Sequence, residues 1–227
     1  MPRETFEGRL QQIKDDVLAL GDMVEKALAD SVAALKVQDA DAARRVIAGD
    51  GAINEKRFAI ENDTLTVIAT QQPVASDLRT LAAILEITTE LERMGDYAKG
   101  IAKITLKIGD EPFIKPLIDI PRMAEKARSM IHRSLTAFIE RDADLALQIV
   151  PEDDELDNLY NQVYRELLTF MMSDPKTIDQ ASYLLWVTHN LERTGDRVVN
   201  ICERVIFTVT GRMIEMDGED EMLVGED

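Results

Sequence analysis

The chain has 227 residues, and its 26 basic and 43 acidic residues give a formal net charge of −17. A chain this acidic is repelled by nucleic acid and by anionic lipid, so the composition argues against direct binding to either. Hydrophobic residues make up 45% of the chain and aromatic residues only 5%, which favours a helical core over a sandwich or barrel. Cys202 is the single cysteine, so neither an intramolecular disulfide nor a Cys/His zinc site is expected.

Membrane-spanning and targeting segments are not apparent in the sequence. No stretch approaches the roughly 20 apolar residues that cross a bilayer, and no apolar signal region follows Met1. We therefore expect a cytoplasmic protein that is peripheral to the membrane only through its partners.

In the first half of the chain, apolar residues recur at helical spacing. The spacing predicts three helices, over about 6–37, 39–72 and 76–108. Asp39 or Asp41 is the predicted cap of the second helix, Pro73 its stop, and Ser76 the cap of the third. Residues 1–108 are therefore predicted to form one three-helix bundle.

The second half repeats this plan after a proline-rich connector over 109–120. The predicted helices span about 122–141, 144–172 and 177–210. Pro151 marks a break in the middle helix, and Thr177 is the predicted cap of the last one. We expect a second bundle over 121–216 and an acidic tail over 217–227.

A six-residue phrase occurs twice in the chain. Leu91-Glu92-Arg93-Met94-Gly95-Asp96 returns 100 residues later as Leu191-Glu192-Arg193-Thr194-Gly195-Asp196, with one difference. Repeats at a fixed spacing indicate a duplicated structural unit. The sequence therefore predicts an all-α protein of two tandem, pseudo-symmetric three-helix bundles with six long helices.

The repeated phrase places acidic side chains in a regular pattern. Residues four apart share one face of a helix, so the Glu and Asp of each phrase are neighbours. If the second and third helices of each half are antiparallel, the heights of their residues can be matched by counting from the turn between them. This predicts one cluster in each half: Glu92, Asp96, Asp50 and Asn54 in the first, and Glu192, Asp196, Asp153 and Asp157 in the second.

Carboxylates that face each other repel, and a bound cation, protonation or a basic partner relieves the repulsion. Oxygen ligands suit hard cations such as Mg²⁺, Ca²⁺, Mn²⁺ or iron. An ordinary set of surface ion pairs explains the same residues without any ligand, and this alternative stays open. The Glu-x-x-His pattern of di-iron bundles is absent, as are a nucleotide loop and a nucleophile–base pair, so we expect no enzyme and no organic cofactor.

Two sequence features resemble the PhoU family of phosphate-signalling proteins. They are the segment Gln71-Gln72-Pro73-Val74-Ala75-Ser76-Asp77-Leu78-Arg79 and both Leu-Glu-Arg-x-Gly-Asp phrases. The resemblance covers nearly the whole chain and implies two three-helix bundles related by pseudo-symmetry. It implies a negative regulator of phosphate uptake and of the phosphate-starvation response, acting between the ATPase of a phosphate ABC importer and a phosphate-sensing histidine kinase. We also expect a homodimer.

The resemblance further implies multinuclear clusters of iron or another divalent cation at Glu92–Asp96 and at Glu192–Asp196. The second half departs from the first, because Met171-Met172-Ser173-Asp174-Pro175 stands where the first half has its Gln-Gln-Pro segment. The two sites are therefore expected to differ in partner or in metal affinity. The alternatives are a metal-storage or metal-dependent hydrolytic bundle and a chaperone-like bundle, which would require a large exposed apolar groove.

Overall fold

The computed structural model describes residues 3–216, and within them the regular elements are all helical. The predicted acidic tail lies outside the described residues. The first half consists of three long helices: α1 (Arg3–Val37), α2 (Ala40–Gln71) and α3 (Ala75–Ile108). The second half contains α4 (Asp119–Glu140), α5 (Ala143–Ile149), α6 (Asp153–Ser173) and α7 (Ile178–Thr210). The all-α fold predicted from the periodicity is confirmed.

Pro151 divides the middle helix of the second half, as predicted. It lies in a short 3₁₀ turn, Val150–Glu152, that joins α5 to α6. Proline removes a backbone donor and clashes with the preceding turn, so an uninterrupted α-helix is disfavoured there. One consequence is that Asp153 becomes the first residue of a new helix.

The core follows the apolar stripes of the helices. Along α1, Val17, Leu20, Val24 and Leu28 are completely buried. Burying such a side chain contributes about 1.5–3 kcal/mol, so tertiary packing of this stripe, more than helix propensity, holds the 35-residue helix.

Two predicted helix caps are wrong. Helix α3 begins one residue before Ser76, after an extended Val74 whose side chain makes no capping hydrogen bond. Thr177 precedes α7 but is itself helical, and its hydroxyl donates to the carbonyl of Asp174 instead. Before α7, the cap is formed by Asp174, whose carboxylate accepts from Lys176 N at the start of a short 3₁₀ turn, Pro175–Thr177. The prediction of Asp39 is confirmed, since its carboxylate accepts from two amides at the start of α2.

The two bundles pack against each other through α1 and α3 of the first half and α4 and α7 of the second. Gly21 of α1 leaves room for the side chain of Leu135 on α4, with which an added Cβ would collide. Along α3 and α7, Glu90 accepts hydrogen bonds from Arg197 and from Asn200, at 3.3 and 3.4 Å. These polar contacts fix the register of the two central helices.

The connector between the halves is held by side chains from both bundles. Gln38 donates to the carbonyls of Gly109 and Glu111, while Gln180 accepts from Ile114 N and donates to the carbonyl of Pro112. Satisfying backbone groups in this way ties an irregular segment to the helices on either side.

Among the described residues, none of the helices combines the length and apolar character needed to cross a bilayer.

Candidate metal-binding site

The second acidic cluster lies between α6 and α7, where the sequence predicted it. Burial and the charges of Asp157, Asp196 and Glu192 raise the pKa of Asp153 to about 7. Burial and the charges of Asp196 and Asp157 raise the pKa of Glu192 to about 7 as well, although Arg193 and Arg197 act against that rise. Four carboxyl groups from two helices thus act on one another electrostatically, and the predicted heights of these residues are correct.

Two carboxylate oxygens of this cluster are buried and accept no hydrogen bond from the described residues. Asp153 Oδ1 and Glu192 Oε2 have no hydrogen-bond partner among residues 3–216. His189 Nδ1 lies 3.2 Å from Glu192 Oε2, but the contact lacks hydrogen-bond geometry. A buried polar group without a partner costs about 1–3 kcal/mol, so this cluster is destabilised as it stands.

Gly195 lets α6 approach α7 at this cluster. A Cβ added at Gly195 would collide with Asp153 Oδ1 and would lie 2.8 Å from Leu156 Cδ1. The glycine therefore provides the space that the Asp153 carboxylate occupies.

Gly95, the counterpart in the first half, faces a different neighbour. An added Cβ there would lie 3.2 Å from Ile53 side-chain atoms. Asp50 is not among the atoms near that position, and its Oδ2 lies 2.6 Å from Lys99 Nζ. The same Nζ lies 3.5 Å from Asp96 Oδ1. The first cluster therefore contains a basic side chain between its two aspartates, which the sequence argument missed.

The rest of the first cluster also differs from the second. Asn54 Nδ2 donates to Asp50 Oδ2 at 3.3 Å. Burial and the charges of Asp96 and Asp50 raise the pKa of Glu92, while Arg57 and Arg93 act against that rise. The hydrogen bond that the Lys99 ammonium donates to Asp50 raises the pKa of Lys99 and favours its charged form. This cluster is largely neutralised by its own cations.

The residues of the second cluster fit a hard cation. All its donors are carboxylate oxygens, which such ions prefer, and two of them are buried without a partner. As the side chains stand, no three His, Cys, Asp or Glu residues in the described part of the chain are arranged to hold an ion. Ligation therefore requires side-chain rotation. The first cluster fits less well, because Lys99 stands between its aspartates. Both metal sites stay predictions.

Aromatic side chains that the sequence argument also missed lie beside the second cluster. The rings of Tyr160 and Trp186 are each 6.2 Å from the ring of His189. Trp186 is 61% exposed. These contacts show that the ring of His189 packs between aromatic neighbours. Exposed aromatic residues next to a charged cluster are typical of protein interfaces.

An open groove of about 730 Å³ lies between α1 and α2. Alanines and Val37 line it, and Lys26, Asp30 and Arg45 contribute charge. Its lining includes none of the predicted metal ligands. The groove is the feature that the chaperone-like alternative required, but nothing in the structure indicates what would fill it.

The fold and the two clusters place the chain in the class of all-α proteins built from two similar helical bundles, each with an acidic cluster. The PhoU domain matches the chain twice, over residues 17–105 and 120–205. The chain belongs to the PhoU family. These two matches fall on the first and second bundles and leave out the connector.

Two curated relatives and two solved structures agree with this assignment. The phosphate-specific transport system accessory protein PhoU homolog of Clostridium acetobutylicum is 38% identical over 96% of this chain and 100% of its own length. The PhoU protein of Escherichia coli K12 is 36% identical over 98% of this chain and 93% of its own length.

The crystal structure of PhoU from Pseudomonas aeruginosa superposes with a TM-score of 0.87 at 34% identity, covering 91% of this chain and 100% of that one. The crystal structure of the phosphate transport system regulatory protein PhoU from Streptococcus pneumoniae gives a TM-score of 0.86 at 30% identity, covering 92% and 99%. The fold of two pseudo-symmetric bundles is therefore confirmed.

Proposed function

We propose that this chain is a non-enzymatic negative regulator of phosphate uptake and of the phosphate-starvation response. The observation that carries the proposal is its likeness, over 96–98% of its length, to proteins named as accessory to a phosphate-specific transport system. In this proposal it works in the cytoplasm as an adaptor between the ATPase of a phosphate ABC importer and a phosphate-sensing histidine kinase.

The duplicated fold suits an adaptor. Each half carries an acidic cluster on its second and third helices, so one chain offers two related surfaces. Linking two binding surfaces raises the effective concentration of the second contact. A net charge of −17 also favours encounter with basic loops of membrane proteins, since opposite potentials speed association.

A hard divalent cation at the second cluster is part of the proposal. Asp153, Asp157, Glu192 and Asp196 would hold it, and the ion would neutralise carboxylates that otherwise repel. Asp153 and Glu192 contribute the buried oxygens that lack partners among the described residues. Bound metal would thus stiffen the contact between α6 and α7 beside the exposed Trp186.

The alternative is a metal-storage or metal-dependent hydrolytic bundle. The chain lacks the Glu-x-x-His motif of di-iron bundles, which favours the regulator. Metal analysis of protein purified without added metal, combined with a phosphatase screen, separates the two. Phosphate-ester hydrolysis that is lost in Glu192→Gln would support the hydrolytic alternative.

Charge reversal at the second cluster tests the adaptor. Glu192→Lys with Asp196→Lys is expected to weaken salt-sensitive binding to the importer ATPase and to the kinase. The same cells should express phosphate-starvation genes in rich phosphate. Asp63→Lys with Glu125→Lys is the matched control, because both residues are exposed, lie outside the clusters and change the net charge equally.

The variants and the unaltered protein have to be compared at equal cellular protein levels and with equal helical content, measured by circular dichroism. Normal binding and normal repression in variants reversed in both halves would refute the acidic surfaces as the regulatory contacts.

The homodimer stays a prediction, which sedimentation equilibrium of the purified chain tests.

A further inference from the structure

The two halves can be matched residue by residue around the repeated glycine. Gly95 faces Ile53 on α2, and Gly195 faces Leu156 on α6. This pairing places α6 residues 103 positions after their α2 counterparts. Asp50 therefore corresponds to Asp153, and the same spacing relates the rest of the two helices.

Charged positions around the clusters do not follow this symmetry. On α2, the charge of Arg57 opposes the rise in the pKa of Glu92, whereas the counterpart of Arg57 on α6 is the uncharged Tyr160, whose own pKa is raised by burial and by the charge of Glu192. On the central helices, Lys99 of α3 corresponds to Val199 of α7, which is 8% exposed. Asn54 likewise replaces a carboxylate, Asp157. The first cluster has one acid fewer, and its Arg57 and Lys99 have no charged counterparts in the second, which in turn has Arg197 where the first half has Tyr97.

Lys99 has the geometry of a bridging cation. Its ammonium contacts Asp50 of α2 at 2.6 Å and Asp96 of α3 at 3.5 Å. It thus joins the two helices through their carboxylates, as a metal ion between them would. Asp50 is only 7% exposed, so its charge requires compensation inside the protein. A metal ion entering this space would meet an ammonium a few ångströms away and be repelled by it.

Resting on the metal proposed for the second cluster, we infer that Lys99 is the built-in cation of the first cluster. The first half then holds α2 and α3 together without metal, and only the second half takes a divalent cation. The duplicated fold therefore carries one permanently neutralised cluster and one whose compensation depends on the cation available. The two surfaces of the proposed adaptor respond differently to metal.

Arg197 provides the strongest objection to this asymmetry, because it brings a cation to the second half. Its Nη2 lies 3.7 Å from Asp196 Oδ2, but its Nη1 binds Glu90 of the first half. Asp153 Oδ1 is still left without a partner among the described residues. Arg193 Nε also lies 3.5 Å from Asp196 Oδ2, but Arg193, Arg197 and Asp196 all belong to α7. Neither arginine therefore joins α6 to α7 as Lys99 joins α2 to α3.

The test measures Mn²⁺ binding by equilibrium dialysis with an electron paramagnetic resonance readout. A background variant, Glu192→Gln with Asp196→Asn, disables the second cluster, so that any remaining binding reports the first half. This background is expected to bind no Mn²⁺ at the first cluster. Adding Lys99→Met should create an Mn²⁺ site at the first cluster. Its Mn²⁺ affinity should exceed any residual affinity of the background by about tenfold or more, whereas Lys99→Arg should create no such site.

Thermal stability provides a second readout that does not depend on any activity. Lys99→Met should lower the Tm in chelator, because Asp50 loses its counter-charge, and Mn²⁺ should restore it. Lys99→Gln keeps a hydrogen-bond donor for Asp50 and serves if the Met variant does not fold. The reciprocal change Val199→Lys should abolish Mn²⁺ binding at the second cluster of the otherwise unaltered chain.

Mn²⁺ binding to the first cluster while Lys99 is present would overturn the inference. A folded Lys99→Met or Lys99→Gln background that gains no Mn²⁺ would overturn it too. Failure of the unaltered chain to bind Mn²⁺ at the second cluster rejects the proposed metal there. In that case a gain in the Lys99 variants still supports the role of Lys99 in the first.

Discussion

Replacing Asp153 by Asn should stabilise the protein at neutral and alkaline pH when metal is removed. The pKa of Asp153 is raised from 3.8 to about 7, so the folded protein binds a proton more tightly than the unfolded chain does. The contribution of Asp153 to the free energy of unfolding is then fully present below about pH 4 and is lost as the pH rises through about 7. Asparagine keeps the shape of the side chain and carries no charge, so this loss disappears.

The magnitude follows from the pKa difference. A change from 3.8 to about 7 corresponds to about 4 kcal/mol as an upper limit. The carboxyl group is partly exposed, and its titration is coupled to that of Glu192, which also has a pKa of about 7. We therefore expect the unaltered protein to lose roughly 2 kcal/mol between pH 5 and pH 8. In a chain of this size that corresponds to about 4–8 °C in Tm.

The assay is urea unfolding at pH 5 and pH 8 in the presence of chelator. Asp153→Asn should be more stable than the unaltered protein at pH 8 by about 1–2 kcal/mol and similar to it at pH 5. Asp50→Asn is the matched control in the first half. It should be less stable at both pH values, by about 1–3 kcal/mol, because Lys99 loses its partner. Equal pH dependence in the Asp153 variant and the unaltered protein would refute the electrostatic account of the second cluster.

Three further predictions concern packing, the contact between the halves and the thiol. Gly195→Ala should destabilise the protein by about 1–3 kcal/mol and Gly95→Ala by less, since the first Cβ collides with a carboxylate and the second meets a side chain at 3.2 Å; equal losses in urea unfolding would contradict this. Glu90→Gln should weaken the ion pair with Arg197 and lower stability by about 1 kcal/mol, measured at low and high salt, and a loss that is unchanged by salt would argue against a charge effect. Burial raises the pKa of the Cys202 thiol to about 12, so Ellman's reagent should react at pH 8 only after unfolding; prompt reaction of the native protein would be inconsistent with that burial.

The helical architecture was predictable because it depends on period and repetition. The apolar stripe of α1 repeats over many turns, and helix propensity, burial and the duplicated phrase all indicate the same fold. The level of Asp153 opposite Asp196 could be predicted for a similar reason. A helix rises by a constant amount per residue, so counting from a turn locates residues on an antiparallel neighbour.

Side-chain partners were harder to predict than heights. Lys99 stands three residues after Asp96 in the printed sequence, and its counterpart Val199 signals that the halves differ. That comparison suggests a cation in the first cluster, but it does not reveal that the ammonium reaches across to Asp50. Helix rotation, the closeness of α2 and the rotamer of Lys99 decide that contact. The predicted caps at Ser76 and Thr177 were wrong because α3 begins one residue earlier and because a 3₁₀ turn capped by Asp174 precedes α7.

The duplication explains why one substitution changes the chemistry of a whole half. The repeated backbone fixes where a side chain at each position points, so Lys99 and Val199 lie at equivalent places beside equivalent aspartates. A lysine there provides a permanent counter-charge for Asp50. A valine provides none, so the charge of Asp153 has to be balanced by another group or by a bound cation. Function resides in sites built on a fold and not in the fold itself. Two bundles with nearly the same helices can therefore form one fixed surface and one that responds to its ionic surroundings.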